Sequence, residues 1–248
     1  MAERPVALIT GGARRVGRAI ATRLAEAGCD LVLTYRTSDT EASSAKADLE
    51  RLGAKVTLAE LDLDDLGVVE SFGTSLATQL PRLDVLVHNA SIYKPTPLAE
   101  ISAESAMRFY RVNALAPLLL SRALAPKLGA NEAPGAIVAM ADMHVLGRPR
   151  VGFAEYAMSK AALVEMVRTL ARELAPKVRV NAVAPGVVAF PEHGYESDPE
   201  AQAAYVRRVP LARAGTPEDA AEAVKWLALD ATYVTGEVIR LDGGRWLA

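Results

Sequence analysis

The amino-acid sequence predicts a single α/β domain, a doubly wound parallel sheet of about seven strands with helices on both faces. Short apolar runs alternate with longer amphipathic stretches along the whole chain. Most of the short runs are rich in Val, Ile and Leu without polar alternation, as expected for strands covered on both faces. The chain has 248 residues, 51% of them hydrophobic, which suits one large core, so we assign 1–248 to one domain.

The predicted elements follow from these runs. Strands are expected at 6–10, 30–35, 55–59, 83–88, 135–141, 178–183 and 237–241. Helices are expected at about 16–27, 39–52, 65–79, 102–128, 154–174 and 217–228.

Helix start signals support several of these assignments. Asp64 and Asp65 can cap the third helix, and Ser102, with Glu104 nearby, can open the fourth. The TPED sequence at 216–219 gives the sixth helix an N-cap, a first-turn proline and first-turn acids.

The segment 187–210 stands apart from this regular pattern. It is polar, contains prolines and a glycine, and follows a predicted strand. We therefore predict that it forms a lid over a site at that end of the sheet.

Composition disfavours several classes of function. The formal net charge is −2, so no overall positive field would attract nucleic acid or an anionic membrane. There is no run of about 18 uncharged apolar residues and no signal-peptide pattern, so we expect a cytoplasmic protein that spans no membrane. The single cysteine, Cys29, precludes an internal disulfide and is expected to be a buried structural thiol.

The stretch ITGGARRVGRA predicts a phosphate-binding loop. It ends a predicted strand and opens a predicted helix, where glycines let backbone amides approach a pyrophosphate. Gly11, Gly12 and Gly17 are spaced more widely than in the GxGxxG of the ordinary dinucleotide fold. The alternative is a tight strand-to-helix turn with two solvated arginines, Arg14 and Arg15.

The second strand indicates which nucleotide would bind. NAD binders usually hold the ribose hydroxyls with an acid about 20 residues beyond the glycines, where this chain has Tyr35-Arg36-Thr37-Ser38. A carboxylate would repel a 2′-phosphate, whereas the Arg36 guanidinium and the two hydroxyls after it would bind one. Arg14 is a second cation for that phosphate, so we predict NADPH over NADH. Alternatively, Arg36 is merely a solvated residue after a strand.

The segment Tyr156-Ala-Met-Ser-Lys160 is typical of a catalytic pair. It lies in a helical pattern that puts Tyr156 and Lys160 on one face. A phenol with its ordinary pKa of about 10 exchanges protons poorly at neutral pH. A nearby ammonium and a positive nicotinamide ring both favour the phenolate, so we expect a lowered pKa for Tyr156.

Together, the motifs TGGARRVG, HNAS, YAMSK, NAVAPG and VTGEVIRLDGG resemble the short-chain dehydrogenase/reductase family over essentially the whole chain. The resemblance implies a Rossmann-type fold and an NAD(P)-dependent oxidoreductase. It also implies a homotetramer, built through the helices predicted at 102–128 and 154–174 and through the C-terminal segment.

The resemblance carries residue roles over to this chain. Asn89, Ala90 and Ser91 match the turn beside the cofactor, although His88 replaces the first asparagine of that turn. Asn113 matches an asparagine that bends its helix and holds a proton-relay water.

Further matches lie along the expected cofactor. Asp62-Leu63 match the contact with the adenine edge, Pro185-Gly186 match the turn over the nicotinamide, and Lys160 matches a ribose contact. The full set assigned to NADPH is Gly11, Arg14, Arg15, Val16, Gly17, Tyr35, Arg36, Thr37, Ser38, Asp62, Leu63, Asn89, Ala90, Ser91, Tyr156, Lys160, Pro185, Gly186 and Val188.

One residue expected from the family is absent. Members normally have a serine shortly before the tyrosine, and the segment MADMHVLGRPRVGFAEY offers Asp142 instead. Hydride attack on a ketone builds negative charge on oxygen, which a serine hydroxyl stabilises and a carboxylate opposes. Attack on a C=N bond leaves a basic nitrogen, to which a carboxyl group can help deliver a proton. Asp142 thus favours a nitrogen heterocycle; the alternative is an exposed loop aspartate, with Tyr156 working alone.

Three features resemble the pteridine reductases of this family. Arg15 stands where most members have glycine, Asp142 replaces the serine, and Tyr93 follows NAS and precedes PTPL. The end LDGGRWLA and the segment FPEH, Phe190 to His193, are similar to bacterial dihydromonapterin or dihydrofolate reductases. The resemblance implies that Arg15 contacts both pyrophosphate and pterin, and that Tyr93 stacks the pterin on the nicotinamide. The substrate-binding set is Arg15, Ser91, Tyr93, Asp142 and Tyr156. Alternatively, Tyr93 is surface packing and Arg15 serves only the cofactor.

The sequence therefore predicts NADPH-dependent reduction of a dihydropterin or dihydrofolate to its tetrahydro form, with hydride passing to C6 of the C6=N5 bond. The catalytic set is Tyr156, Lys160, Asp142 and Asn113. One alternative is a carbonyl reductase for a 3-oxoacyl thioester or a sugar ketone. Another is an NADP-sensing regulator without chemistry, which the retained tyrosine and lysine disfavour. No metal is expected, because His88, His144 and His193 lack metal-site spacing.

Overall fold

The computed structural model describes residues 4–192 and 195–248, and the strands of this part of the chain form one parallel sheet. The strands are β1 (Val6–Ile9), β2 (Asp30–Tyr35), β3 (Val56–Glu60), β4 (Val85–His88), β5 (Gly135–Met140), β6 (Val178–Pro185) and β7 (Val238–Leu241). Their order is β3-β2-β1-β4-β5-β6-β7, which confirms the predicted seven-stranded doubly wound sheet. Observed strand ends lie close to the predicted ones; β4, for example, was expected from residue 83 and begins at residue 85.

Helices cover both faces of the sheet, which confirms the prediction. In the described residues they are α1 (Arg15–Glu26), α2 (Asp39–Arg51), α3 (Leu66–Gln79), α4 (Ala103–Tyr110), α5 (Ala116–Leu128), α6 (Ala154–Glu173), α7 (Pro199–Val206) and α8 (Pro217–Lys225). Helices α1 and α8 pack on one face through residues such as Ile20 and Val224. Helices α5 and α6 pack on the other through residues such as Leu124 and Val167. None of the described helices has the length and apolarity that crossing a bilayer requires.

Neighbouring residues of one strand contribute to both halves of the core. In β1, Ile9 packs with the α1 and α8 side chains, Leu8 packs with those of α5 and α6, and both are fully buried. Successive strand side chains point to opposite faces, so a strand covered on both sides needs apolar residues throughout. Cys29 belongs to the first of these clusters, where burial raises the pKa of its thiol to about 11. It is the buried structural thiol that was expected.

The fourth predicted helix is interrupted. It begins as α4, which Ser102 caps together with Ser105, passes through a π-helical turn at Arg111–Leu115 and continues as α5. Pro117 has no N–H to donate to the carbonyl of Asn113, so the regular hydrogen-bond ladder cannot continue there. The family resemblance implied a bend at Asn113, and the π-helical turn lies at that residue.

Most other helix starts match their sequence signals. Thr216 caps α8 and Asp65 caps α3, each accepting a hydrogen bond from a backbone N–H of the first turn. Asp64, however, does not cap α3, and that expectation was wrong. Its carboxylate lies 2.7 Å from the Arg111 guanidinium, which links the loop after β3 to the π-helical turn.

The segment 187–210 contains helix α7, which the sequence prediction missed. Its start signal, Asp198-Pro199-Glu200, is of the same type as that of α8. No residue of α7 is fully buried, so the apolar periodicity that marks the other helices is absent. Residues 193 and 194 of the segment lie outside the described residues.

The carboxyl ends of the parallel strands meet at one edge of the sheet, and the predicted site residues follow these ends. Gly11 follows β1, Arg36 follows β2, Asn89 follows β4, Asp142 follows β5 and Gly186 follows β6. Open parallel sheets bind ligands at this edge, which is where the candidate site lies.

Candidate active site

The loop between β1 and α1 depends on its glycines. Gly11 has a φ of +64°, in the left-handed region that residues with side chains rarely adopt. A Cβ on Gly17 would collide with the Gly11 carbonyl oxygen and lie 2.7 Å from the Asn89 amide nitrogen. The glycines are therefore required by the turn itself, which sets the N-terminus of α1 at the ligand-binding edge of the sheet.

Thr10 joins this loop to the turn after β4. Its hydroxyl oxygen accepts hydrogen bonds from the backbone N–H groups of Asn89 (3.0 Å) and Ala90 (3.1 Å), and its hydroxyl donates to the Val87 carbonyl. The Asn89 side chain donates in return to the carbonyls of Thr10 (3.0 Å) and Gly11 (3.2 Å). These contacts satisfy buried polar groups and fix the turn after β4 against the glycine loop.

The two arginines of the glycine loop have different partners. Arg15 has a φ of +48°, and its guanidinium donates to the carbonyls of Ala189 (3.2 Å) and Phe190 (2.9 Å). Arg14 lies 3.5 Å from the Glu41 carboxylate in a half-exposed ion pair with α2. Arg15 thus ties the glycine loop to the segment after β6, and Arg14 points toward the end of the site that follows β2.

The residues predicted to select the nucleotide lie at that end. Tyr35 ends β2, and Arg36 and Thr37 are exposed. Ser38 stands at the start of α2 but its side chain makes no capping bond, so the helix does not use its hydroxyl. A hydrogen bond to Asp39 raises the pKa of the Tyr35 hydroxyl. Residues 35–38 therefore offer one guanidinium and several hydroxyls.

The residues predicted to meet the adenine edge follow β3. Asp62 is exposed, and its carboxylate accepts a hydrogen bond from the backbone N–H of Asp64 at 3.0 Å. Leu63 is buried and packs with Leu61 and Leu120. The Leu63 side chain therefore belongs to the core, and of the pair only Asp62 presents its side chain to solvent.

Helix α6 brings Tyr156 and Lys160, both buried, to the carboxyl end of β5. The Tyr156 hydroxyl donates to Asp142 Oδ2 at 2.9 Å, and Asp142 Oδ1 accepts from the backbone N–H of His144 at 2.7 Å. Lys160 Nζ donates to the Met140 carbonyl at 2.7 Å. Asp142 is half-buried and in direct contact with the phenol, so it is not an exposed loop aspartate.

The groups of the chain itself stabilise the neutral phenol. Burial and then the Asp142 carboxylate raise the pKa of Tyr156 well above its usual value. Burial lowers the pKa of Lys160 to about 8. The expectation that Lys160 would lower the Tyr156 pKa is not met by the protein alone. The reason is geometric, because Asp142 contacts the hydroxyl while Lys160 donates to the Met140 carbonyl.

Asn113 connects the π-helical turn to two other parts of the site. Its side-chain oxygen accepts from the Ile92 N–H at 2.9 Å, and its amide donates to the Ile92 carbonyl and to Ser159 Oγ at 3.0 Å. The Ser159 hydroxyl in turn donates to the Tyr156 carbonyl at 2.7 Å. Asn113 therefore holds the loop that carries Tyr93 in register with α6.

Aromatic rings surround Tyr156. Tyr93 lies edge-on to it with ring centres 5.0 Å apart, and Phe153 and Phe109 lie at 6.1 and 6.5 Å. Tyr93 also packs on Phe153 at 5.0 Å and is 40% exposed. Tyr93 is thus a half-exposed part of the wall beside the phenol, where a flat ligand could contact it.

The turn after β6 is held by α7. A Cβ on Gly186 would lie 2.7 Å from the Tyr205 hydroxyl oxygen, which accepts a hydrogen bond from the Val187 N–H at 2.9 Å. Pro185 ends the strand, and Val188 is buried in the core. A side chain at residue 186 would therefore push the Tyr205 hydroxyl away and disturb its hydrogen bond to Val187.

The two histidines that the structure describes each have one structural partner. His88 is the last residue of β4, and its Nε2 lies 2.8 Å from the hydroxyl of Ser121. Burial lowers its pKa to about 3, so the ring is neutral. His144 Nδ1 lies 2.8 Å from the Arg148 carbonyl oxygen. Among the residues that the structure describes, no cluster of His, Cys, Asp or Glu could hold a metal ion, and His193 lies outside them.

Sequence reasoning missed four residues of this site. Thr10 and Ser159 could have been noticed, because one directly precedes the glycines and the other directly precedes Lys160. Arg150 and Glu196, which hydrogen-bond to Tyr93, carry no motif. They come from separate segments that meet only in the folded chain.

The sheet order and the glycine loop are those of a Rossmann-type domain, and a tyrosine and lysine at its ligand-binding edge indicate an oxidoreductase. Residues 11–245 match the family model described as enoyl-(acyl carrier protein) reductase. The chain belongs to this family of short-chain dehydrogenases/reductases.

Named relatives are similar over nearly their whole lengths. A 3beta-hydroxysteroid dehydrogenase 1 from Eggerthella lenta is 32% identical, covering 97% of this chain and 93% of the relative. A 3-oxoacyl-[acyl-carrier-protein] reductase from Synechocystis sp. is also 32% identical, covering 96% of each. Among solved structures, a blue fluorescent protein from a metagenomic library in complex with NADPH superposes with a TM-score of 0.87 at 32% identity, covering 97% of each chain.

Proposed function

We propose that this protein is an NADPH-dependent reductase that delivers a hydride to a polar double bond. Family membership and the likeness to an NADPH-bound structure support a nicotinamide cofactor. The glycine loop fits one, because the turn keeps residues 11 and 17 free of side chains beside the N-terminus of α1. When bound, the cofactor supplies the hydride.

The choice of NADPH rests on the residues after β2. Arg36 is exposed there, Arg14 lies nearby on the glycine loop, and the Ser38 hydroxyl is unused by α2. A guanidinium with adjacent hydroxyls suits a 2′-phosphate. Residues 35–38 contain no acid to hold the ribose hydroxyls; the carboxylates nearby, Asp39 and Glu41, hydrogen-bond to Tyr35 and pair with Arg14 respectively.

Tyr156 is the proposed proton donor. Its raised pKa keeps the hydroxyl protonated at neutral pH but also makes it a weaker acid, so the proton leaves only toward the basic atom that hydride transfer creates. In the protein alone that hydroxyl donates its hydrogen bond to Asp142, so proton transfer requires the substrate atom to replace Asp142 as the acceptor. Lys160, with a pKa near 8, can donate a hydrogen bond to a ribose hydroxyl. It can also gain or lose a proton near neutral pH when the charge on Tyr156 changes. Asn113 keeps the surrounding loop in register.

Two substrate classes have support. The names of the relatives refer to a hydroxysteroid and a 3-oxoacyl group, and neither refers to a pterin, so the comparisons favour the carbonyl reductase. The geometry of this chain favours a C=N bond. The Tyr156–Asp142 hydrogen bond places a carboxylate where the family has a neutral hydroxyl, and a carboxylate opposes an oxyanion.

We give more weight to this contact, because it lies at the reacting position of this chain, and we take a dihydropterin or dihydrofolate as the first substrate to test. The half-exposed Tyr93 ring offers a stacking face beside Tyr156. Arg15 reaches from the glycine loop to the segment after β6, so its guanidinium can contact both cofactor and pterin. The segment 187–210 is the proposed lid over them.

The test is a substrate panel with the purified protein. We expect NADPH absorbance to fall with dihydrobiopterin or dihydrofolate, with a tetrahydropterin as product. Tyr156→Phe should lower turnover by about 100-fold or more, because it removes the donated proton. Consumption with ketones alone would establish the carbonyl reductase, and no consumption with either class would favour an NADP sensor.

The homotetramer is part of this proposal. Met107, Leu118 and Met158 are exposed apolar residues on α4, α5 and α6, the helices that the family resemblance places at subunit contacts. Light scattering of the purified protein should give a mass of four chains. A monomer at micromolar concentration would refute this assignment.

A further inference from the structure

A closed set of hydrogen bonds lies beside Tyr93. The Arg150 guanidinium donates to the Tyr93 hydroxyl and, at 2.7 Å, to Glu196 Oε1. The Tyr93 hydroxyl donates to Glu196 Oε2 at 2.9 Å. The carboxylate therefore uses both oxygens, one on a cation and one on a phenol.

This cation stands at a fixed position relative to the candidate active site. The guanidinium carbon of Arg150 lies 4.2 Å from the centre of the Phe153 ring, and Phe153 and Tyr93 both pack against Tyr156. Arg150 thus contacts two aromatic side chains, Tyr93 and Phe153, that each pack directly on the Tyr156 ring. The stacking and two hydrogen bonds hold the guanidinium rigidly.

The site is partly accessible. The side chain of Arg150 is 31% exposed and that of Glu196 is 21% exposed. Glu196 reaches the cation from the short turn before α7, in the segment proposed as a lid, whereas Arg150 and Tyr93 belong to loops beside α6 and β4. The carboxylate and its two partners therefore come from different parts of the chain.

We propose that Arg150 and the Tyr93 hydroxyl form an anion subsite that recognises a carboxylate on the substrate, beside the aromatic rings that contact Tyr156, and that Glu196 occupies this subsite until such a substrate displaces it. The contacts that Glu196 makes show that the subsite accommodates a carboxylate with both oxygens bonded. Exchange of one carboxylate for another conserves these hydrogen bonds and the local charge, so the substrate pays no penalty for burying an unpaired anion.

The alternative is that the three residues only fasten the segment before α7. In that case weakening the contact changes access for every substrate alike. If the residues form a subsite for anions, weakening the contact changes the affinity only for ligands that carry an acid. The charge of the ligand therefore distinguishes the two accounts. The inference depends on the proposed function only for the position of the reacting bond.

The experiment measures dissociation constants by calorimetry on the full chain with NADP⁺ present. It uses two acid and amide pairs of matched shape: dihydropteroate and its amide, and 4-acetylbenzoate and 4-acetylbenzamide. The second pair carries a ketone one ring away from the acid, so the subsite is tested with either substrate class.

Glu196→Gln removes the charge that competes with the ligand and keeps the side-chain shape. We expect it to tighten binding of the acids about tenfold and to change binding of the amides little. Arg150→Gln should raise the dissociation constants of the acids about tenfold or more and leave those of the amides nearly unchanged. Glu200→Gln, an exposed carboxylate on the first turn of α7, is the control and should leave all four constants unchanged.

If Glu196→Gln and Arg150→Gln changed the dissociation constants of acids and amides equally, the proposed subsite would be refuted. Failure of all four ligands to bind would refute it as well. If the ketone pair shows the expected pattern and the pterin pair does not bind, the subsite stands and the proposed pterin substrate fails.

Discussion

The Tyr156 hydroxyl donates a hydrogen bond to Asp142, and the proposed substrate class rests on this contact. A carboxylate beside the phenol disfavours a developing oxyanion and tolerates a nitrogen that gains a proton. Burial and the same carboxylate raise the pKa of Tyr156 and keep its hydroxyl protonated. One residue thus affects both the substrate class and the protonation state of the proposed donor.

A second residue with a specific proposed role is Arg36. Replacing it with Gln should lower kcat/KM for NADPH by about 10-fold to 100-fold, because a charge-assisted contact with the 2′-phosphate is lost. Activity with NADH should change little, since that cofactor has no 2′-phosphate. The measurement is steady-state kinetics with both cofactors at one substrate concentration.

Arg168→Gln is a suitable control for this substitution, because Arg168 is an exposed arginine on α6 that pairs only weakly with Glu165 at 3.4 Å. It should leave the preference between the two cofactors as it is. An equal loss with NADPH and NADH in Arg36→Gln would contradict the proposed role of Arg36.

Single residues could be assigned from the sequence where a local motif carries them. Tyr156 and Lys160 share one helix, and Asp142 was found because it occupies a position where a serine was expected. Arg150 and Glu196 are 46 residues apart and belong to no motif, so their contact appears only in the folded chain. The direction of the Tyr156 pKa in the protein alone differs from the expectation for a related reason, because it depends on burial and on which neighbour touches the hydroxyl.

At the scale of elements, the site depends on the hydrogen bonds of Thr10 and Asn89, which join the glycine loop to the turn after β4. Thr10→Val should destabilise the fold by about 1 to 3 kcal/mol, because the N–H groups of Asn89 and Ala90 lose their acceptor. The KM for NADPH should rise, since both loops border the cofactor site. Urea denaturation and kinetics provide the two measurements.

Thr57→Val makes the same chemical change at an exposed position on β3 and should be nearly neutral. If Thr10→Val matched this control in stability, the proposed importance of the Thr10 hydrogen bonds would be refuted.

The interruptions of elements were harder to predict than the elements. The π-helical turn follows from Pro117, whose missing N–H breaks the ladder at Asn113, yet the apolar pattern continues through it and indicated one long helix. Helix α7 was missed because it buries no full apolar face, although Asp198-Pro199 is a sound start signal. Periodicity thus finds helices that pack on the sheet and overlooks those that pack elsewhere.

At the scale of the whole molecule, the architecture was predictable because strands such as β1 are apolar on both faces. Leu8 and Ile9 enter opposite halves of the core, and only a sheet with helices on both sides buries both. The positions of strand ends at one edge then gather residues from distant parts of the sequence into one site.

Burial of one histidine should make the stability of the whole fold depend on pH. The pKa of His88 is about 3 in the folded chain and 6.5 ordinarily, so below pH 6.5 the unfolded chain binds a proton that the folded chain does not. Stability should therefore fall as the pH decreases, by about 1.4 kcal/mol per pH unit from this group. Urea denaturation at pH 6.5 and 5 measures the loss.

His88→Gln retains a polar partner for Ser121 and does not titrate, so the difference in slope between the two proteins isolates the contribution of this histidine. Identical slopes would mean that His88 binds a proton in the folded chain.

The most direct test of the central claim is the Asp142→Ser substitution, read as the ratio of kcat/KM for a dihydropterin to kcat/KM for a ketone. We predict that this ratio falls by about 100-fold or more, because pterin reduction loses the carboxyl group and ketone reduction gains a neutral hydroxyl. The KM for NADPH should stay nearly constant. An unchanged ratio, or a ketone activity that falls together with the pterin activity, would contradict the account.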